Sequence, residues 1–255
     1  FSIQLGDAKI LSKKMNKLVI SNFRDNDIKE KGQGAPLVPI FHQNLFSEKN
    51  KKIMVVNLGG ISNFTFLVGK NKVLASDIGP GNKLIDEYCN LNFKVSYDAN
   101  GEISSRGKVI NELIKKWARK SFVSQSFPVS FDNAFFRLQD FIDKNSISKF
   151  DLLRTLTYFT AYLMFNLKKK MKSNIDKWIF CGGGVHNKIL MQDIKNLLGK
   201  EIVFTTKDFN FDPFFIESQA FAYISVRTLK NLPSTFPKTT GCLRSSLSGV
   251  VYNPN

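Results

Sequence analysis

The stretch Ile53-Met54-Val55-Val56-Asn57-Leu58-Gly59-Gly60-Ile61-Ser62-Asn63 decides how the rest of the chain is read. Residues 53–58 are an almost unbroken apolar run of strand length, suited to a strand buried on both faces. The double glycine turns the chain, and a second strand pattern covers 63–68. Gly69-Lys70-Asn71 is a hairpin signal leading into a third strand at 72–77. Shorter strand patterns lie at 17–21, 178–181 and 201–205. Helical spacing of apolar residues covers 82–91, 108–119, 135–143, 152–171, 188–198 and 216–229. Strands cluster first, and helices then alternate with strands. The pattern predicts an α/β fold, a mixed sheet with flanking helices, in one unit without a clear boundary. Residues 121–133 lack helical spacing and are expected to form a long functional loop.

Composition narrows the function classes. A chain of 255 residues can bury a sizeable core, and 43% hydrophobic with 23% charged residues is a soluble globular balance. The longest apolar stretch, 152–167, is interrupted by Arg154, Thr155, Thr157, Thr160 and Asn166, so it reads as a buried helix and not a membrane span. No signal peptide opens the sequence. Cys89, Cys181 and Cys242 are few and widely spaced, which argues against a disulfide framework or zinc site and fits a reducing cytoplasmic setting. The formal net charge of +16 invites an acidic partner. The lysines are scattered, however, and Lys168, Lys169, Lys170 and Lys172 suit a solvated helix end. No nucleic-acid-binding motif accompanies the charge, so no nucleic-acid or membrane partner is expected.

Four glycine loops sit at strand ends. Gly32-Gln33-Gly34-Ala35-Pro36 permits close backbone approach, or is an ordinary turn. In Asn57-Leu58-Gly59-Gly60-Ile61-Ser62-Asn63 a hairpin turn offers backbone N–H groups to phosphate oxygens. Asp77-Ile78-Gly79-Pro80-Gly81-Asn82 puts a carboxylate at a strand end just before a helix N-terminus, a construction suited to phosphate chemistry. Such a carboxylate acts as general base or metal ligand, or merely caps the turn. Cys181-Gly182-Gly183-Gly184 strips side chains from one surface, where an adenine ring or phosphate can lie. Neither GxxxxGK[ST] nor GxGxxG occurs, so a nucleotide site must be assembled from separated loops.

Several strings, in order, resemble the anhydro-N-acetylmuramic acid kinase family. They are Phe23-Arg24-x-x-Asp27 with Gly32-Gln33-Gly34-Ala35-Pro36-Leu37-Val38-Pro39-x-Phe41-His42, then the 57–63 and 77–82 loops. Cys181-Gly182-Gly183-Gly184-x-x-Asn187, Glu217-x-x-Ala220-Phe221-Ala222 and Leu232-Pro233-Ser234-x-x-Pro237-x-Thr239-Thr240-Gly241 follow. The resemblance runs over essentially the whole chain.

It implies an actin-like ATPase (ribonuclease H-like) sugar kinase fold, mainly its second lobe and C-terminal tail over 1–255. It also implies a cytoplasmic, homodimeric enzyme of peptidoglycan recycling that uses ATP and Mg²⁺. The family opens 1,6-anhydro-N-acetylmuramic acid with water and phosphorylates O6. By the match Asp77 is the base, and Glu217, Arg24 and Ser130 bind the sugar. Gly59, Gly60, Asn63, Gly79, Gly81 and Asn82 would serve the phosphates, and Gly182, Gly183 and Gly184 the adenosine. The chain departs from the pattern in three ways. The family's Gly-x-Ser-x-Asp-Gly phosphate loop and its His-Gly-Gln-Thr segment are absent. Asn22 stands where relatives have Asp. Asn133 replaces an Arg in the stretch Pro128-Val129-Ser130-Phe131-Asp132-Asn133. The resemblance gives His42 and His186 no catalytic role, and His42 is expected to be structural. The competing readings are a non-catalytic nucleotide- or sugar-binding remnant and a charge-driven nucleic-acid binder.

Overall fold

The structure is a computed structural model that describes residues 5–119, 126–142 and 147–254. The apolar run becomes β2 (Lys52–Leu58), continued by β3 (Ile61–Val68) and β4 (Lys72–Pro80) as an antiparallel meander. On its other edge β2 pairs in parallel with β5 (Lys177–Cys181), and β5 with β6 (Val203–Thr205). The order is β4-β3-β2-β5-β6. β2 is therefore central, and Ile53, Met54, Val55, Val56 and Leu58 are fully buried.

Their alternation divides the core. Met54, Val56 and Leu58 face the larger cluster, with Phe64, Trp178 and Phe180. This face is covered by α4 (Lys83–Phe93), α5 (Asn111–Ala118), α6 (Lys149–Met171) and α7 (Lys188–Leu198). Ile53 and Val55 face a smaller cluster with Phe46 of α3 (Pro39–Phe46). A third cluster joins Phe41 and Cys181 to Ile216 and Ala220 of α8 (Ile216–Leu229).

α6 begins at Ser148, whose hydroxyl accepts from the Phe150 N–H, and ends with Lys168, Lys169 and Lys170 in its last turn. Acceptor at the start and cations at the end satisfy the helix dipole at both ends. Across the α6–α7 contact Arg154 grips Asp193 with two hydrogen bonds of 2.6 and 2.8 Å. Such a bidentate, poorly exposed pair fixes geometry as well as charge.

Three expectations change. The strand at 17–21 is β1 (Val19–Ser21), but it leaves the main sheet and pairs antiparallel with β7 (Val250–Tyr252). The predicted helix at 135–143 is absent over its described part. Residues 133–135 and 138–140 form 3₁₀ turns, and residue 143 lies outside the described residues. Phe131, Phe135 and Phe136 pack as a ring cluster with centroids 4.9–5.1 Å apart, and the Asp132 carboxylate takes the Ala134 N–H. Aromatic packing and local capping outcompete the helix there. Three short helices were not foreseen beside them: α1 (Ala8–Met15), α2 (Asp25–Lys29) and α3. A short turn of helix, α9 (Pro237–Thr240), lies near the C-terminus. Of the expected loop at 121–133, residues 121–125 lie outside the described residues, as does the side chain of Asn133.

Asn22, the departure from the aspartate pattern, has a structural account. It sits at φ 58°, a left-handed conformation that asparagine tolerates, and its amide donates to the Tyr252 hydroxyl at 3.2 Å. It joins the end of β1 to β7.

Candidate active site

Backbone register lines up one row across the sheet. Asp77 pairs with Asn63, Asn63 with Asn57, and Asn57 with Cys181. All four line a cavity of about 290 Å³ at the C-terminal ends of β2 and β5. Ligand sites of α/β sheets form at such strand ends. Arg24, Glu217, Gly59, Gly182 and Gly183 also line it, so the structure brings more than half of the expected residues together.

Asp77 is 6% exposed. Burial pushes its carboxyl up to about 6, and the Phe131 N–H, the Ser130 hydroxyl and the Arg24 charge partly oppose this. The Phe131 N–H donates to Asp77 Oδ2 at 2.7 Å. Ser130 is not part of the cavity wall; it touches Asp77 and supports it. Arg24 donates to the Gly34 carbonyl at 3.3 Å. Asp27, three residues on, accepts from the Gly34 N–H at 2.8 Å and the Thr240 hydroxyl at 2.5 Å, and not from Arg24. Glu217 is exposed on the first turn of α8, and its charge, after burial, helps to push the Cys181 thiol up to about 12. That thiol stays protonated at neutral pH and is no nucleophile. His42 also lines the cavity. Burial lowers its imidazole to about 3, and Nδ1 lies 2.9 Å from Thr65 Oγ1, so the ring is neutral and fixed.

The glycines divide into two kinds. The N–H groups of Gly81 and Asn82 donate to the carbonyls of Gly60 (2.9 Å) and Gly59 (2.8 Å), and Asn82 Nδ2 donates to the Leu58 carbonyl at 2.9 Å. A Cβ on Gly81 would overlap the Gly59 oxygen, and one on Gly182 would overlap Asn57 Oδ1. A Cβ on Gly184 would come within 2.6 Å of Leu58 Cβ. These three let the loops pack on one another. Gly59, Gly60 and Gly183 have no neighbour closer than 3.4 Å at the Cβ position and leave open surface. Gly60, Gly79 and Gly81 lie outside the cavity wall.

A second cavity, of about 600 Å³, adjoins the first and shares Gly183 and Phe214 with it. Asn82 and Gly184 line it, as do Ile85, Asp86, Tyr97 and Asp98. His186 stacks on Phe214 with ring centroids 4.6 Å apart. Burial and the Asp98 charge push the Asp86 carboxyl up to about 6. Asp98 spends both oxygens on the N–H groups of Ile103 (2.8 Å) and Ser104 (3.1 Å). Sequence reading missed Asp86 because its value lies in a cavity wall drawn from distant segments. Its position one helical turn beyond Asn82 was the only local hint. Among the described residues no group of three or more His, Cys, Asp or Glu could hold a metal ion, and no helix is long and apolar enough to cross a membrane.

Residues 1–254 match the sequence pattern of a family described as anhydro-N-acetylmuramic acid kinase. Relatives carrying that name include one from Pelagibacter ubique, 39% identical over 98% of this chain and 68% of its own length. Another, from the gamma-proteobacterium EBAC31A08, is 36% identical over 91% of this chain and 64% of its own length. A third, from Aliivibrio fischeri, is 34% identical over 100% of this chain and 71% of its own length. The chain thus spans roughly two thirds of the length of such relatives. Among solved structures, an activator of the 2-hydroxyisocaproyl-CoA dehydratase from Clostridium difficile with bound ADPNP aligns with a TM-score of 0.43 at 10% identity, covering 79% of this chain and 68% of its own.

Proposed function

The chain belongs to the anhydro-N-acetylmuramic acid kinase family, and from that premise we propose that it serves the ATP-dependent opening and O6-phosphorylation of 1,6-anhydro-N-acetylmuramic acid. The observation that carries the reading is Asp77. It is a buried carboxyl with a raised pKa of about 6, in a cavity it shares with Arg24 and Glu217. At pH 7 such a group is about nine-tenths ionised and still a better base than an ordinary aspartate.

In the proposed reaction Asp77 takes a proton from water as the water oxygen bonds to the anomeric carbon. The C1–O6 bond breaks, and O6 bonds to the γ-phosphorus of ATP as ADP leaves. The proton on Asp77 returns to solvent. Arg24 and Glu217 hold the sugar, and Ser130 supports the base. Phosphoryl transfer is chiefly positioning and charge stabilisation, which the loops around Gly59, Gly60 and Asn63 would provide.

Charge orients the nucleotide. Asp86 and Asp98 in the second cavity repel phosphates and favour the uncharged nucleoside, which would lie against Gly183 and Gly184. The Asp86 carboxylate lines this cavity, so it is placed to accept from a ribose hydroxyl. The described residues offer no cage for Mg²⁺, which fits an ion held largely by ATP phosphates and water. When bound, the ion would neutralise charge on the phosphates. The 255 residues are read as the second lobe and C-terminal tail of an actin-like sugar kinase fold, in a cytoplasmic homodimer.

The test is turnover with Mg²⁺, ATP and 1,6-anhydro-N-acetylmuramic acid, read by mass spectrometry. Ring-opened 6-phosphosugar that depends on Asp77 is the expected result. Sugar or ATP binding without product would favour the non-catalytic reading.

A further inference from the structure

Gln33 belongs to the first glycine loop, and its backbone is fixed from below by buried groups. Its N–H donates to the Thr240 carbonyl at 2.8 Å, and the next N–H, of Gly34, donates to Asp27 Oδ2 at 2.8 Å. Asp27 is fully buried and takes the Thr240 hydroxyl on its other oxygen. A Cβ on Gly32 would overlap the Asp27 carboxylate, so that glycine is required for the loop to close over it. The Gln33 side chain then leaves this anchored backbone and reaches residues nearly a hundred positions away. Its Oε1 accepts from the Ser130 N–H at 2.5 Å, and its Nε2 donates to the Pro128 carbonyl at 3.1 Å. Gly241, at φ 77°, lies against the amide: a Cβ there would sit in ordinary contact, 3.4 Å from Gln33 Nε2 and 3.5 Å from Pro128 Cγ.

The segment held this way is the one that touches Asp77. Val129 is already tied to β4, through the Asp77 N–H (2.9 Å) and the Ser76 hydroxyl. Those bonds attach the segment but do not fix residues 130 and 131, whose hydroxyl and N–H meet the carboxylate. We propose that Gln33 is a positioning residue for Asp77, acting as a two-point amide clamp that holds Pro128 and Ser130 so that Ser130 and Phe131 keep their hydrogen bonds on the carboxylate. Glycine loop, C-terminal Thr240-Gly241 and residues 128–131 then form one support for the base.

The clamp predicts a direction. Hydrogen bonds to the ionised form favour it, so losing them raises the pKa. The other titratable groups of the cavity, Arg24, His42, Cys181 and Glu217, stay in place. Among neighbouring elements, α9 places Lys238 beside Lys72, at the far end of β4, and α6 meets the near end through Thr160 on the Gly81 carbonyl.

The experiment is a ¹³C titration of the Asp77 carboxyl, which needs no turnover. Gln33→Ala, and Gln33→Met, which keeps the side-chain length without the amide, are expected to raise the midpoint by about 0.5 to 1 pH unit, the worth of a hydrogen bond or so. Ser130→Ala should move it the same way. The double variant Gln33→Ala/Ser130→Ala should move it little beyond Gln33→Ala alone, because the Ser130 hydroxyl is one of the two contacts the clamp holds. Gln33 is exposed, so the melting temperature should change little. An unchanged midpoint, or one that falls toward the ordinary aspartate value, would overturn the clamp.

Turnover is a second readout, and this arm rests on the proposed role of Asp77 as base. The acid limb of kcat should shift upward with the titration, with kcat at pH 6 reduced roughly two- to fivefold. Full turnover by Asp77→Asn would sink that role and leave the titration to decide the clamp.

Discussion

Asp77 and Asp86 have the same raised pKa, about 6, for different reasons. Both are lifted first by burial. Around Asp77, however, a backbone N–H, a hydroxyl and Arg24 all favour the ionised form, whereas around Asp86 the second influence is the like charge of Asp98. One carboxylate is built to carry its charge in a dry place. The other is left short of partners beside an open cavity. The pair teaches that a perturbed pKa alone does not locate a base; the donors around it separate a proton acceptor from a ligand acceptor.

The contrast is sharpest in turnover. Asp77→Asn should lower kcat by roughly 10² to 10⁴, the usual worth of a positioned base, whereas Asp86→Asn should leave kcat within a few-fold. Equal losses at the two positions, measured by product formation at saturating ATP and sugar, would erase the distinction. Smaller in size, Glu217→Ala should raise the sugar KM about tenfold without changing the ATP KM, in line with loss of a charge-assisted hydrogen bond. An unchanged sugar KM would remove Glu217 from the sugar site. Asp86→Asn should raise the ATP KM about three- to tenfold and abolish any preference for ATP over 2′-deoxy-ATP. If the preference survives, Asp86 does not read the ribose.

The smallest effect concerns stability. A carboxyl whose folded pKa exceeds its unfolded value binds more protons in the native state between the two, so it costs stability as pH rises through that window. Asp86→Asn should therefore raise the melting temperature at pH 7.5, with the gain fading as pH falls from about 6 to below 4. A gain that is independent of pH would mean that packing, and not charge, is responsible.

Much of this was legible in the sequence where the physics is local. The run at 53–58 has no polar face, so only a strand covered on both sides can use it, and β2 is the centre of the sheet. The helices at 188–198 and 216–229 match their predicted ends, the first because the Asn187 side chain caps it on the Leu190 N–H. β7 was invisible because Val250–Tyr252 is only three residues long and acquires meaning from β1, far away in the chain. At the site, the 77–82 loop announced itself, but the glycines could not be sorted. Whether Gly182 faces a ligand or a neighbouring loop depends on Asn57, which sequence spacing does not place beside it. Gln33 stands out in the sequence only through its glycine neighbours, while its own amide acts across 97 residues.

Gly183 and Phe214 border both cavities, and at Gly183 no side chain stands between them. On the proposed placement of the substrates, one molecule can span both chambers, with a muramyl group at one end, adenosine at the other and a phosphate tether over the glycine. Once either end is seated, the other is held at an effective concentration set by a tether of a few atoms, commonly in the millimolar range. With sugar and nucleotide seated as proposed, this shared glycine makes the site open to bisubstrate inhibitors, and the length of the tether that binds best would gauge the distance the phosphoryl group travels.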